Sequence, residues 1–208
     1  QVRIAKPFAA GKFEVTFEEW GVCVKDGGCS DNPQDQGWGR GRQPVINVFW
    51  LEAKAYAEWL SRKTGKNYRL FTESQWEYAA RAGTTTTFSL GDRISPQQAN
   101  YDTAGSYAGS AVATTRGRPA PVGSYPANGF GLHDMHGNVY EWTEDCYNSN
   151  YNGAPTDGGA RSSGNCSRRV LRGGSWDDNP DILRSANRSQ GNTIFRFNNF
   201  GFRVSRAD

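Results

Sequence analysis

Beyond Gly83 the sequence keeps neither a helical nor a strand period for long. It becomes a succession of Gly, Thr, Ser, Asn, Asp and Pro clusters broken by short apolar or aromatic segments. Regular structure has to be sparse there, so the space between turns must be filled by bulky side chains. The composition supplies them: 13% of residues are aromatic, set among 25 glycines and nine prolines, which describes a compact, loop-rich fold and argues against disorder. A chain of 208 residues can bury a core without help from metals or cross-links.

The first part of the chain is more regular. Thr16 followed by Glu19 forms a capping-box pattern, and Trp20 and Val24 lie four apart, which predicts a short helix over 17–25 closed by Gly27 and Gly28. Tyr56, Trp59 and Leu60 fall at helical spacing within 51–63, with Gly65 as C-terminal cap. A third helix is expected from Thr72, with Gln75 as capping partner, Trp76 and Ala80 buried, and a stop before Gly83. Short strands are expected at 121–124, 139–142, 169–172 and 201–204, each brief, partly β-branched or aromatic, and bounded by turn residues. The class is therefore α+β. With no internal repeat and no linker, residues 1–208 read as a single domain.

Twenty-four basic and 21 acidic residues spread along the chain give a formal charge of +3, which recommends neither nucleic acid nor an anionic membrane as partner. The late arginines Arg161, Arg168, Arg169, Arg172, Arg184, Arg188, Arg196, Arg203 and Arg206 are expected to pair with carboxylates and carbonyls rather than with phosphate. No apolar run is long enough to insert in a bilayer. The four cysteines fall into two close pairs, Cys23 with Cys29 and Cys146 with Cys166. Two local disulfides are the first reading, which would favour an extracytoplasmic setting; a zinc site and reduced structural thiols are the alternatives.

Four segments then stand in a telling order: 69–81 (RLFTESQWEYAAR), 128–142 (NGFGLHDMHGNVYEW), 169–176 (RVLRGGSW) and 201–203 (GFR). From 8–16 (FAAGKFEVT) onward, the chain resembles the formylglycine-generating enzyme, or sulfatase-modifying factor, family. That resemblance implies a C-type-lectin-like α+β fold, with a few helices and a small twisted antiparallel sheet supporting long loops. It also implies a glycine-rich strand upstream of Phe8 that this sequence lacks, so the chain is expected to be truncated at its N-terminus.

Enzymes of the family hold copper on a cysteine pair downstream of the Gly-Gly-Ser motif, as soft thiolates suit Cu(I). Here no cysteine follows Ser167, and the resemblance implies a non-catalytic member. An iron-dependent branch with the same fold needs a histidine cluster, whereas only His133 and His136 are available, three apart. Structural roles are expected for both. The carboxylate pairs Asp177 with Asp178 and Glu144 with Asp145 are expected to be solvated or paired with arginine. The family pattern would place a structural calcium at Gly137, Val139 and Glu141, and a second at Asn100 and Tyr101; the alternative is that Glu141 pairs with an arginine.

The stretch 176–200 is polar and rich in Asn, Asp, Ser and Arg, yet carries Ile182, Ile194, Phe195, Phe197 and Phe200 with no period that would put them on one buried face. Some of them should be exposed. The segment, roughly 170–204, also resembles the variable segment of diversity-generating-retroelement proteins, whose framework residues 183–188 (LRSANR) match. Against that pattern Trp176, Asp177, Asp178, Ile182, Ser189, Gln190, Asn192, Ile194, Phe195, Phe197, Asn198, Asn199 and Phe200 become the candidate ligand-binding positions. Phe195, Phe197 and Phe200 are the expected anchors, since aromatic rings give large contact area at low entropic cost. The partner implied is a protein or cell-surface ligand. The alternatives are an accessory or sensory domain of a larger signalling protein and a metal-dependent oxidoreductase.

Overall fold

A computed structural model of the chain describes residues 1–29, 33–104, 109 and 113–207. Among them the α+β class holds, in the order β1 (Phe8–Ala10), α1 (Phe17–Lys25), α2 (Trp50–Thr64), β2 (Tyr68–Leu70), α3 (Glu73–Arg81), β3 (Tyr140–Tyr147), β4 (Asn165–Arg172), β5 (Ser189–Asn192), β6 (Phe200–Gly201) and β7 (Val204–Ala207).

Local chemistry sets the helix ends. At α1 the Glu19 N–H donates to the Thr16 hydroxyl at 3.2 Å, while the Thr16 N–H donates to the Glu19 carboxylate at 2.8 Å. Thr72 and Gln75 repeat the arrangement at α3. α2 begins one residue earlier than its apolar spacing indicates, because Glu52 accepts from the Phe49 N–H and so caps the first turn. It ends where Gly65 turns left-handed at φ 69°.

Two small sheets hold the ends of the chain. In the first, β7 lies between β1 and β2, antiparallel to both; in the second the order is β5-β4-β3-β6, with β6 parallel to β3 and the other neighbours antiparallel. The strand expected at 121–124 is a turn instead, in which Val122 donates to the Arg42 carbonyl and Gly123 takes φ 79°. Pro121 has no N–H to give a ladder and Gly123 supplies the left-handed corner, so the segment reverses the chain rather than extending it.

The main core packs Trp20 face to face on Tyr56, with ring centroids 5.8 Å apart, and sets Phe202 edge-on to both. Each such ring contributes about 1.5–3 kcal/mol by leaving water. Disulfides join Cys23 to Cys29 beneath α1, and Cys146 to Cys166 across β3 and β4. A second cluster gathers Phe71, Trp76 and Met135 under α3. Between the clusters lies a buried ionic centre. The Arg203 guanidinium donates to both oxygens of Glu141, to the Gly11 carbonyl and to the His133 carbonyl. Trp76 Nε1 donates to the second Glu141 oxygen at 2.8 Å.

Candidate functional site

The loop between β5 and β6, residues 193–199, carries the most exposed apolar side chains of the late region: Ile194, Phe195 and Phe197 are 70%, 51% and 46% exposed. Its backbone is nonetheless held. Thr193 N–H donates to the Ser167 carbonyl at 3.0 Å, the Phe197 carbonyl accepts from the Asn47 N–H at 3.1 Å, and the Asn199 carbonyl accepts from the Tyr140 N–H at 2.8 Å. Within the loop, Asn192 accepts the Ile194 N–H on its side chain and the Phe195 N–H on its carbonyl. Arg196 reaches across to Glu52 at 2.5 Å and lies over the Phe49 ring. The main chain is thus fixed mostly by backbone groups, and the side chains at 194, 195 and 197 are exposed.

An aromatic series leads inward from this tip. Phe195 meets Phe197 edge-on at 6.2 Å, Phe197 meets Phe200 at 4.8 Å, and Phe200 meets the buried Trp142 at 5.3 Å. Phe200, expected as an exposed anchor, is therefore only partly accessible, since its pairing in β6 turns the ring toward Trp142 and Tyr140. Trp176 needs a larger correction: it is 9% exposed, packed edge-on against Trp38 with Nε1 near the Asn198 carbonyl, and offers a ligand little more than a rim.

The remaining candidates divide in the same way. Asp177 and Gln190 are exposed, and Gln190 accepts from Arg168. Asn192, Asn198, Asn199 and Ser189 are half-buried. Ile182 is half-buried against the core and serves as packing. Asp178 accepts hydrogen bonds from the Tyr140 hydroxyl and from Ser175, and burial raises its pKa above the ordinary carboxylate value. Trp38, Asn47 and Ser167 were not foreseen as supports of this surface. Their contacts span long sequence distances, and no local pattern announces them.

Several of the late arginines pair with carboxylates, as expected: Arg172 with Glu77, Arg188 with Glu73, Arg196 with Glu52 and Arg203 with Glu141. Arg161, Arg169 and Arg184 donate to backbone carbonyls.

This pairing bears on the residues the family pattern assigns to calcium. Glu141 is the one carboxylate of the set and both its oxygens are already engaged by Arg203. The Asn100 carbonyl accepts from the Asn138 N–H, Gly137 and Val139 sit tightly packed behind it, and Tyr101 donates its hydroxyl to the Ile94 carbonyl. A divalent cation at Glu141 would face the Arg203 guanidinium, so Gly137, Val139 and Glu141 as arranged do not fit one. Among the described residues, no group of three or more His, Cys, Asp or Glu side chains is disposed to hold a metal.

His133 and His136 do not converge. Asp134 between them takes φ 59°, which breaks the helical turn that would have aligned them. His133 Nδ1 lies 2.7 Å from the Tyr125 carbonyl, whereas His136 holds the Leu183 carbonyl through Nδ1 and receives the Ser89 N–H on Nε2. Burial pushes the His136 pKa down to about 4, keeping the ring neutral. Glu144 pairs with Lys54, and Asp145 accepts the Glu73 and Arg161 N–H groups while burial pushes its pKa up to about 6. Neither pair of adjacent carboxylates is disposed as an acid with a base.

Comparison with known proteins supports the same frame. A family model described as the sulfatase-modifying factor enzyme 1-like domain matches residues 1–208. The serine/threonine-protein kinase pkn1 of Chlamydia caviae is 35% identical over 172 residues, which is 81% of this chain but only 25% of the kinase. The chain thus spans about a quarter of the length of that curated relative. Among solved structures, PvdO from Pseudomonas aeruginosa superposes with a TM-score of 0.85 at 37% identity, covering 100% of this chain and 83% of that one. Treponema denticola variable protein 1 superposes with a TM-score of 0.77 at 25% identity, covering 97% and 84%.

Proposed function

Because the chain belongs to the sulfatase-modifying factor enzyme 1-like family yet holds all four of its cysteines in disulfides, we propose that it is a non-catalytic recognition protein whose ligand meets the 193–199 loop. One observation carries the reading: Ile194, Phe195 and Phe197 project from a backbone pinned by main-chain hydrogen bonds to Asn47, Tyr140 and Ser167. Ile194 and Phe195 can be exchanged without touching the core, and Phe197 meets it only through the half-buried Phe200, which suits a surface that varies its specificity. The likeness to Treponema denticola variable protein 1 supports the reading of a variable protein. The partner that suits exposed phenylalanines rimmed by asparagine and arginine is a folded protein with an apolar depression.

The test is a display library in which positions 194, 195 and 197 are randomised. Most members should melt cooperatively near the parent temperature, and selection should yield binders to unrelated proteins; a library that is largely unfolded sinks the proposal. A reverse transcriptase gene beside an asparagine-rich near-copy of the 170–204 coding segment would mark the surface as one diversified by a retroelement. A second reading rests on the kinase likeness: the matching region is a quarter of the serine/threonine-protein kinase pkn1 of Chlamydia caviae, and this chain would serve as the accessory or sensory module of a larger signalling protein. An oxidoreductase of the family's enzymatic branch is the third reading, and it lacks the thiols that branch uses.

A further inference from the structure

A second surface stands apart from the 193–199 loop. Between α3 and the extended N-terminal segment 1–7 lies an open cleft of about 1200 Å³, walled by Phe8, Glu73, Glu77, Tyr78, Phe130 and Tyr151. Its far wall is fixed where the Arg3 N–H donates to the Thr156 carbonyl and Ile4 packs against Gly158. Three of its rings, Tyr78, Phe130 and Tyr151, are 51%, 49% and 56% exposed. Tyr78 and Phe130 lie 5.5 Å apart, and Phe8 stands edge-on to Tyr78 at 6.3 Å. Half-exposed aromatics gathered around one concavity mark a binding site more than a solvated face does.

The polar lining narrows the ligand. Glu73 is held through both oxygens by Arg188, at 2.5 and 2.8 Å, and accepts the Tyr151 hydroxyl at 3.1 Å. Glu77 is held by Arg81 at 2.9 Å and by the fully buried Arg172 at 2.6 Å. Each carboxylate facing the cleft is therefore neutralised already, and a cationic ligand group would have to break one of these pairs. Glu77 and Arg81, whose side chains are 28% and 29% exposed, still have lone pairs and N–H groups to offer, and uncharged hydroxyls use them at little electrostatic cost. A ligand with flat apolar faces for the rings and hydroxyls around its edge meets both conditions. We propose that this cleft binds a neutral saccharide chain, its pyranose faces stacked on Tyr78 and Phe130 and its hydroxyls on the Glu77–Arg81 pair. Arg3 and Lys6 lie exposed on the outer segment and flank the mouth of the cleft.

The experiment is calorimetric titration of the chain with cellohexaose, chitohexaose, maltohexaose and a hexagalacturonate, repeated on three variants whose melting is checked first. At least one neutral hexasaccharide should bind. Tyr78→Ala with Phe130→Ala should weaken it about tenfold or more, as expected for losing two stacked rings. Tyr78→Phe, which keeps the ring, should stay within about threefold of the parent. Phe195→Ala with Phe197→Ala should leave saccharide binding unchanged, so that this cleft and the 193–199 loop stand or fall separately. Binding of none of the neutral probes, binding of the hexagalacturonate alone, binding undiminished in a folded Tyr78→Ala/Phe130→Ala variant, or conversion of a dimer to a monomer by that variant would each overturn the proposal.

Discussion

Residues 193–197 and 201–205 are near neighbours in sequence and live under opposite rules. Ile194, Phe195 and Phe197 face solvent, whereas Phe202, Arg203 and Ser205 are almost wholly enclosed. Aromatic identity does not make the difference, since phenylalanine occurs in both. Pairing does: β6 lies beside β3, and β7 is inserted between β1 and β2, so residues 200–207 are drawn through the centre of the molecule. In the preceding loop, Ile194 and Phe195 are tied through the main chain, while Arg196 and Phe197 add side-chain contacts to Glu52 and Phe200. The comparison teaches that exchangeability is decided by whether a side chain, or only a backbone, carries the structural bond.

The sharpest way to break this contrast is at Arg203. Removing it strands Glu141 beside Glu14 and Asp134, two further buried carboxylates each with an oxygen lacking a hydrogen-bond partner. Arg203→Ala should therefore cost about 3–5 kcal/mol in urea unfolding, as for a buried ion pair losing one partner. An unchanged midpoint would mean that the enclosed side of the comparison is not structural. Phe200, at the border between the two regions, should fall between them: truncation to alanine is expected to cost about 2 kcal/mol, roughly half the loss for a fully buried phenylalanine.

Glu14→Gln probes the same centre through pH. Burial, helped by Asp134, holds the Glu14 pKa well above its ordinary value despite the opposing pull of Arg203. A carboxyl raised in the fold contributes stability that is complete below its unfolded pKa and is lost as pH climbs through the folded one. The parent should therefore lose stability as pH climbs above the ordinary carboxylate range, a loss that Glu14→Gln should not show in paired melts. Equal slopes would show that Glu14 is ionised throughout. The smallest stability effect belongs to Phe195→Ala with Phe197→Ala, expected within about 1 kcal/mol of the parent while ligand capture by this surface is abolished. A collapse of the melt would move these rings to the enclosed side.

The helices were the most legible part of the sequence, because capping boxes at Thr16 and Thr72 and the glycine at 65 are local signals with local causes. β1, β2 and β5 escaped it. They are three or four residues long, and β5 (SQGN) has no apolar residue; each exists only because a distant strand supplies its partner. At the site the exposure of Ile194, Phe195 and Phe197 was readable from an apolar pattern with no buried face. The inward turn of Phe200 and Trp176 was not, as it depends on Trp142, Tyr140 and Trp38 arriving from elsewhere. Nor did any local pattern announce the pairing of Glu141 with Arg203, 62 positions away.

The main-chain ties at Asn47, Tyr140 and Ser167 have a thermodynamic corollary. A loop already confined before its ligand arrives surrenders little freedom at encounter, so association here should be governed by dehydration of the rings and the shape of the opposing surface. Its calorimetric mark would be a negative heat-capacity change with only a small opposing entropy. Improved variants would then differ mainly in how slowly they let go.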